Sequence, residues 1–376
     1  MRALVVLSAI AAACSGEQRI DDLFTEQEWA YLETFRLDQL DPIRCTGDTR
    51  RCDELARFGQ RLFFDPSYAG PITVANDGAN GGFGAIGETG KVSCDSCHDP
   101  AHYFADHRLA NAQSLGTAWT KRNVPGLVDL AYRESFIWSG KYDRLEDVLD
   151  LALTSPAALN STHDRFVDVI LERYLATYNA LFVPVSPVMV SAEIRKQIYL
   201  NGALAIATYE SRLVSGPAPF DRYLAGDKHA IERAAKRGAQ LFIGKALCSE
   251  CHDGPLFADD RFHVTGVEQR GDHAPAIDRG RFDVTGDPID EGRFRTPTLR
   301  HIAETAPYMH AGQHDSLGEV IEFYRWGGDA GGFTGRKDPR IVPLELTDDQ
   351  VGDLVAFLRS LTGAPVDPTW TTKPRM

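Results

Sequence analysis

Two short segments of the chain each carry two cysteines separated by two residues, with a histidine directly after the second cysteine. In such a segment the thiols form thioethers with the vinyl groups of a haem, and the histidine binds the iron. The main alternative is zinc, which needs four ligands close in space, and neither segment has a second cysteine pair nearby. The sequence therefore predicts two covalently attached c-type haems, one held by Cys94, Cys97 and His98 and the other by Cys248, Cys251 and His252.

The surroundings of the two haem segments are similar, which indicates an internal duplication. Residues 56–63 resemble residues 235–242 upstream, and residues 104–106 resemble residues 257–259 downstream. A duplicated haem domain is the economical explanation. The first copy is longer because of residues 69–90, which hold seven glycines, and we expect a surface loop there.

Helical periodicity dominates the rest of the sequence. Apolar spacing predicts helices over about 165–181 and 191–214. A capping box from Thr347 to Gln350 predicts a last helix, which Gly363 ends. Because no convincing run of alternating strand residues is present, we expect a mainly α-helical protein.

A break rich in glycine and proline follows residue 214. Such a break is typical of a domain boundary. It predicts an N-terminal haem domain over residues 15–215 and a C-terminal haem domain over residues 216–376.

The acidic composition restricts the partners, since the formal net charge is -13. Nucleic acids and anionic membrane surfaces repel such a chain. The sequence therefore argues against nucleic-acid binding, and membrane contact is expected only through a lipid anchor.

The first residues have the character of an export signal. The apolar stretch over residues 3–13 is shorter than the about 20 residues that cross a bilayer, but it suits the core of a signal peptide. Cys14 after two alanines resembles a lipoprotein cleavage site, so residues 1–14 are expected to form a signal segment of the lipoprotein type, with cleavage before Cys14 and lipid on Cys14. An ordinary secretory cleavage near Ala13 is the alternative. Cys45 and Cys52 agree with export as a disulfide pair, although two free thiols remain an alternative.

Four segments interleaved with the haem segments carry a resemblance to a known family. They are residues 121–125 (Lys-Arg-Asn-Val-Pro), 136–141 (Phe-Ile-Trp-Ser-Gly-Lys), 209–216 (Tyr-Glu-Ser-Arg-Leu-Val-Ser-Gly) and 295–312, which ends in Ala-Pro-Tyr-Met-His-Ala-Gly. From Gly59 to Gly363 the chain resembles the bacterial di-haem cytochrome c peroxidases and, within that superfamily, the MauG-like branch. The resemblance implies two cytochrome c-like haem domains with a shared interface.

The resemblance also assigns roles. The N-terminal haem would react with hydrogen peroxide, the C-terminal haem would store charge, and Trp138 would relay charge between them, although a lone tryptophan is more often a core residue. The family holds a calcium ion between the haems, and its ligands map to the Asn123 side chain and the carbonyls of Thr305 and Pro307. Such oxygen ligands suit calcium.

One departure from the peroxidases lies in the loop after the first haem segment. The resemblance implies a histidine there that blocks the active iron, but the aligned residue is Thr117. Because a hydroxyl is a poor iron ligand, we expect the N-terminal haem to be permanently open. His102 and His107 lie in the same region and are the alternative ligands.

A second departure concerns the distal ligand of the C-terminal haem. The peroxidases place a methionine fourteen residues after the position of His310, and the MauG-like branch has a tyrosine, as this chain does at Tyr324. A thioether favours ferrous iron, whereas a phenolate stabilises ferric and higher states. We therefore expect Tyr324 to bind the iron. The alternatives are that Tyr324 is a core residue and that Met309 is the ligand.

A third departure removes a carboxylate near the N-terminal haem. The family's distal Gln, Pro and Glu positions correspond to Val148, Ala152 and Ala158. The missing acid would move a proton between the peroxide oxygens, which typically contributes about 10²–10⁴-fold in rate. His163 or Asp164 is the nearest substitute, unless each is a surface residue.

These residues together predict a MauG-like oxidase that is periplasmic or lipid-anchored through Cys14. It would use hydrogen peroxide to reach a high-valent di-haem state and would oxidise an aromatic residue, tryptophan or tyrosine, of a partner protein. One alternative is a cytochrome c peroxidase that reduces hydrogen peroxide with electrons from a small cytochrome. The other is a non-catalytic di-haem electron-transfer protein.

Overall fold

The fold is mainly α-helical, as predicted. The computed structural model describes residues 19–40, 49–74, 83–108, 113–188 and 190–375. Its helices are α1 (Glu26–Glu33), α2 (Thr49–Phe63), α3 (Val148–Thr154), α4 (His163–Arg173), α5 (Leu175–Leu181), α6 (Ala192–Glu210), α7 (Pro219–Leu224), α8 (Arg233–Ile243), α9 (Phe282–Thr285), α10 (Leu317–Arg325), α11 (Asp348–Arg359) and α12 (Pro368–Thr371). Two short antiparallel strands, β1 (Phe262–His263) and β2 (Phe294–Arg295), pair with Phe262 opposite Arg295.

The predicted helices are present with shifted ends. The helix expected over 165–181 is divided at Tyr174 into α4 and α5. The capping box at the start of α11 is confirmed, because Thr347 accepts a hydrogen bond from the backbone of Gln350. The predicted stop at Gly363 is wrong, since α11 already ends at Arg359. The backbone N–H of Gly363 instead donates to Nδ1 of His301, 3.2 Å away.

A close crossing of two helices is repeated in the two halves. Helix α2 crosses α6 at Gly59, where an added Cβ would lie 1.8 Å from the carbonyl oxygen of Ala205. Helix α8 crosses α11 at Gly238, where an added Cβ would lie 2.0 Å from the carbonyl oxygen of Asp353. Both glycines belong to the duplicated segments, so the duplication preserves a crossing that only glycine permits.

Two apolar cores lie at these crossings, the first around α2 and α6 and the second around α8 and α11. The segment around α1 packs into the second core. Phe24, Leu32 and Phe35 are buried there, and the ring of Phe35 lies 4.9 Å from that of Phe257. The sequence predicts that this segment lies in an N-terminal domain over residues 15–215. That assignment is wrong for α1, because its apolar side chains are buried against the other half of the chain.

Buried polar contacts join the two halves. Asp129 accepts a hydrogen bond from Nε2 of His301 at 3.1 Å and another from the backbone N–H of Ser215 at 3.0 Å. Burial alone would raise the pKa of Asp129, but these hydrogen bonds lower it. Arg122 also binds both carboxylate oxygens of Asp278, at 2.8 and 2.7 Å. The shared interface is therefore held by oriented charges as well as by apolar packing.

No helix in the described parts of the chain is long and apolar enough to cross a membrane. Residues 1–14, with the predicted lipid site at Cys14, lie outside the described residues. Cys45 also lies outside them, while Cys52 is disulfide-bonded.

Candidate haem and redox site

The two haem segments have the same local geometry. Each begins with a 3-10 turn, Cys94–Ser96 in one and Cys248–Glu250 in the other. The backbone N–H of each histidine donates to the carbonyl of the first cysteine, at 2.9 Å in both segments. This turn holds the two thiols and the imidazole in a fixed relation, which suits the attachment of a haem.

Each haem histidine is oriented by a phenylalanine carbonyl. Nδ1 of His98 lies 2.9 Å from the carbonyl oxygen of Phe104, and Nδ1 of His252 lies 2.8 Å from that of Phe257. Both phenylalanines have a positive φ, which directs these carbonyls back toward the histidines. A proton on Nδ1 leaves the lone pair of Nε2 for the iron.

The burial of these groups also suits the attachment of a haem. Burial lowers the pKa of His98, and it lowers the pKa of His252 to about 4, so both rings are neutral ligands. Burial raises the pKa of the Cys94, Cys97 and Cys248 thiols to about 12. A thioether sulfur carries no charge, so it suits such apolar surroundings.

One continuous cavity of about 770 Å³ connects the two haem segments. Residues of both segments line it, together with apolar side chains of α3, α6, α10 and α11. A cavity that extends from His98 to His252 provides room for two haems in one interior. The haems would thus share a largely apolar, water-poor environment.

Thr117 is turned away from this cavity. Its hydroxyl donates to the carbonyl oxygens of Pro156 at 2.9 Å and Ala158 at 3.1 Å. His102 and His107 pair with Asp99 instead. Thr117, His102 and His107 are therefore not among the described residues that line the cavity.

The cavity wall near the first haem segment is apolar where the family has polar residues. Val148, Ala152 and Ala158 all line the cavity. The suggested substitutes lie elsewhere: His163 pairs with Asp150 at the surface, and Asp164 pairs with Arg195. The interpretation of His163 and Asp164 as surface residues is therefore confirmed, because their helix α4 directs both side chains to solvent.

Glu210 is an acid in the cavity wall that the sequence did not indicate as a site residue. It lies at the end of α6 and lines the cavity near Cys94. Burial raises its pKa to about 8, so it is protonated at neutral pH. Its sequence signal was weak: a single carboxylate follows a run of small and apolar residues that includes Ile206 and Ala207.

Trp138 lines the cavity, and hydrogen bonds hold both its side chain and its backbone. Its indole Nε1 donates to the backbone carbonyl of Asn123 at 2.8 Å. Its own carbonyl accepts a hydrogen bond from the backbone N–H of Arg295 at 2.8 Å. Arg295 lies on β2 in the C-terminal half, whereas Asn123 lies in the N-terminal half. The indole is therefore held where the two halves meet.

Tyr324 and Met309 both line the cavity beside the second haem segment. Tyr324 lies on α10, and burial together with the nearby Cys251 and Cys248 raises the pKa of its phenol. Met309 has a positive φ of 69°. The intervening His310 is occupied elsewhere: its Nε2 lies 2.7 Å from Oε1 of Gln269.

The three residues that correspond to the family's calcium ligands also border this cavity. Asn123, Thr305 and Pro307 contribute to its wall. The backbone N–H of Asn123 donates to the carbonyl of His310 at 2.8 Å, which ties the two ligand-bearing segments together. The donor set consists of oxygens, as calcium requires.

A mainly α-helical chain with two haem c segments that open into one cavity is a di-haem c-type cytochrome. A family model described as di-haem cytochrome c peroxidase matches residues 53–229, and a cytochrome c model matches residues 235–362. The methylamine utilization protein MauG of Methylorubrum extorquens is 33% identical over 325 residues, which cover 83% of this chain and 79% of MauG. The cytochrome-c peroxidase IdrP1 of Denitromonas iodatirespirans is 33% identical over 359 residues, which cover 87% and 86% of the two chains.

Solved structures agree. A MauG-like protein associated with microbial copper homeostasis superposes with a TM-score of 0.69 at 30% identity, over 86% of this chain and 93% of that one. The diheme peroxidase BthA of Burkholderia thailandensis, at 23% identity, has the same fold, with a TM-score of 0.68 over 87% and 90% of the two chains. The chain belongs to the family of di-haem cytochrome c peroxidases and MauG proteins. It is an oxidoreductase that contains haem c and acts with peroxide.

Proposed function

We propose that the protein is a MauG-like oxidase that uses hydrogen peroxide to oxidise an aromatic residue, tryptophan or tyrosine, of a partner protein. The observation that carries this proposal is Tyr324 in the cavity wall beside the second haem segment. The similarity to MauG supports it. The other roles proposed below follow from the same cavity.

The chemistry of Tyr324 favours storage of oxidising equivalents over delivery of electrons. Burial raises the pKa of its phenol, so the phenolate needs a cation beside it. Ferric iron supplies that charge, and the hard anionic oxygen in turn stabilises ferric and higher states. A methionine at this position would instead favour the ferrous state.

The reaction balances as a two-electron process. Hydrogen peroxide accepts two electrons and two protons and becomes two waters, and the electrons come from the aromatic residue of the partner. The haems would supply the redox chemistry: His98 would hold the one that reacts with peroxide, and His252 and Tyr324 would hold the one that stores charge. Trp138, held by Asn123, relays charge between them, and the apolar wall at Val148, Ala152 and Ala158 limits water beside the first haem.

The experiment that tests this proposal compares Tyr324→Met with Met309→Leu. Tyr324→Met is expected to raise the reduction potential of the C-terminal haem and to abolish the long-lived spectral change that peroxide produces in the diferric protein. Met309→Leu is expected to preserve both, at a stability cost under about 1.5 kcal/mol for a volume-conserving change. If Met309→Leu removes the low-spin signal of the second haem and Tyr324→Met changes nothing, Met309 is the ligand and the proposal fails.

A cytochrome c peroxidase is the second candidate, because IdrP1 is as similar to this chain as MauG is. It would reduce hydrogen peroxide with electrons from a small cytochrome. Fast peroxide turnover with reduced cytochrome c, increased by prior half-reduction, would favour this function. Slow turnover together with a persistent oxidised state would favour the MauG-like one.

We also propose that Asn123, Thr305 and Pro307 bind calcium between the haems. Their presence in the lining of the cavity and the backbone hydrogen bond from Asn123 to His310 support this ligand set. Removal of calcium with a chelator should then change the spectra of both haems, and added calcium, but not magnesium, should restore them. Magnesium is a poor substitute because it demands shorter, octahedral coordination.

We propose a periplasmic location with a lipid anchor at Cys14. Haem c, the sequence of residues 1–14 and the disulfide-bonded Cys52 support export. Cys14→Ser should move the protein from the membrane fraction to the soluble periplasmic fraction. An unchanged distribution would favour an ordinary secretory cleavage.

A further inference from the structure

Two histidines that take no part in the proposed reaction meet at one carboxylate on the surface. Nδ1 of His102 lies 3.0 Å from Oδ2 of Asp99, and Nδ1 of His107 lies 3.6 Å from the same oxygen. The two imidazole rings are stacked, with their centroids 3.2 Å apart and their planes 19° from parallel. One ligand atom from each residue lies within 4.8 Å of the others.

These distances agree with the edges of a metal coordination polyhedron. Zinc lies about 2.0–2.1 Å from imidazole nitrogen and about 2.0–2.2 Å from carboxylate oxygen. Adjacent ligands at that radius are about 3.0 Å apart in an octahedron and about 3.4 Å apart in a tetrahedron. The separations from Asp99 to His102 and His107 are close to these values, and a rotation of the two stacked rings away from each other would direct both lone pairs at one ion.

We propose that Asp99, His102 and His107 form a surface binding site for a divalent transition-metal ion. Two imidazoles and one carboxylate suit Zn²⁺, Ni²⁺ or Cu²⁺ better than Ca²⁺ or Mg²⁺, which prefer oxygen ligands. The three side chains are 34–38% exposed, so an ion has access from solvent and water completes its coordination.

The loop that carries the three ligands is preorganised. Asp99 and Ala105 form an isolated β-bridge that closes it, and Oδ1 of Asp99 accepts a hydrogen bond from the backbone N–H of Ala101 at 2.9 Å. Beyond the bridge, Arg108 pairs with the buried Asp106 at 2.7 Å, which fixes the backbone on both sides of His107. The backbone that carries the ligands is thus fixed without the ion, which lowers the entropy cost of binding it.

The other cluster of this kind in the described residues does not offer a free site. It consists of Cys251, Asp259 and His263. Cys251 belongs to a haem segment, and both ring nitrogens of His263 are taken by carboxylates, Asp259 at 2.9 Å and Asp338 at 3.0 Å. The cluster at Asp99 contains no haem cysteine, and among the described residues no carboxylate from outside the cluster pairs with its histidines.

The test is a calorimetric titration of the haem-containing protein with Zn²⁺ and, separately, with Ni²⁺. The wild-type protein is expected to bind one ion that His107→Gln weakens by at least about tenfold, and His102→Gln should act in the same direction. His163→Gln is the matched control, because His163 also pairs with a surface aspartate, Asp150, but lacks a second histidine. Unchanged haem absorption in each variant shows that the fold is retained.

Two results would overturn the proposal. One is an absence of Zn²⁺ and Ni²⁺ binding to the wild-type protein. The other is binding that is equal in the wild-type protein and in His107→Gln and His102→Gln. In either case Asp99 only accepts hydrogen bonds from its neighbours. The test uses no enzymatic activity, so it is independent of the proposed function.

Discussion

The crossing of α8 and α11 permits a sharp test, because each helix contains a glycine in a different environment. At Gly238 an added Cβ would lie 2.0 Å from the backbone carbonyl oxygen of Asp353. Since ordinary contact begins near 3.4 Å, the helices would have to separate by 3.4 minus 2.0, or 1.4 Å. The carbonyl cannot move alone, because its residue is part of α11.

The expected loss follows from two opposing effects. Overpacking of this kind costs about 1–3 kcal/mol or more, and alanine regains about 1 kcal/mol of helix propensity. The ion pair between Arg237 and Asp353, at 2.6 Å, lies at the same crossing and would be displaced as well. For Gly238→Ala we therefore expect a net loss of about 2 kcal/mol, which lowers Tm by roughly 4–8 °C.

The control is Gly352→Ala in the middle of α11, where an added Cβ meets nothing within 4 Å. Here only helix propensity changes, so stability should rise by up to about 1 kcal/mol. Thermal unfolding of both diferric variants, followed by circular dichroism, makes the comparison. If Gly238→Ala is as stable as the wild-type protein, the crossing is looser than described and this explanation of the duplicated glycine is refuted.

Three further predictions concern the cavity. Trp138→Phe should retain both haems but prevent charge sharing between them after peroxide addition. Loss of the hydrogen bond to Asn123 should lower the free energy of unfolding by about 0.5–1.5 kcal/mol. Unchanged charge sharing in the haem spectra would return Trp138 to a packing role. The N-terminal haem should be high-spin in the diferric state by electron paramagnetic resonance, and a low-spin signal that His102→Gln or His107→Gln converts to high-spin would contradict this. Glu210 has a pKa raised from 4.5 to about 8, so the folded state retains a proton that the unfolded chain releases, and stability should fall as pH rises through this range. In denaturation experiments between pH 5 and 8, the free energy of unfolding of Glu210→Gln should therefore depend less steeply on pH than that of the wild-type protein. An unchanged pH dependence would show that Glu210 ionises normally.

Sequence alone determined the features that are encoded within a few consecutive residues. The haem segments are of this kind, because one turn of backbone sets the relation of two thiols and a histidine. The capping box at Thr347 and the duplicated glycines Gly59 and Gly238 are also local signals. Family resemblance added the positions of Tyr324 and Trp138, and both line the cavity.

Tertiary structure decided the features that depend on residues far apart in the chain. The side chains around α1 are buried in the second core because contacts across more than two hundred residues, such as that of Phe35 with Phe257, determine where they pack. The raised pKa of Glu210 arises from burial, which no local pattern reports. The grouping of His102 and His107 on Asp99 depends on how a loop closes, since only the folded backbone brings side chains at irregular spacing to a single oxygen.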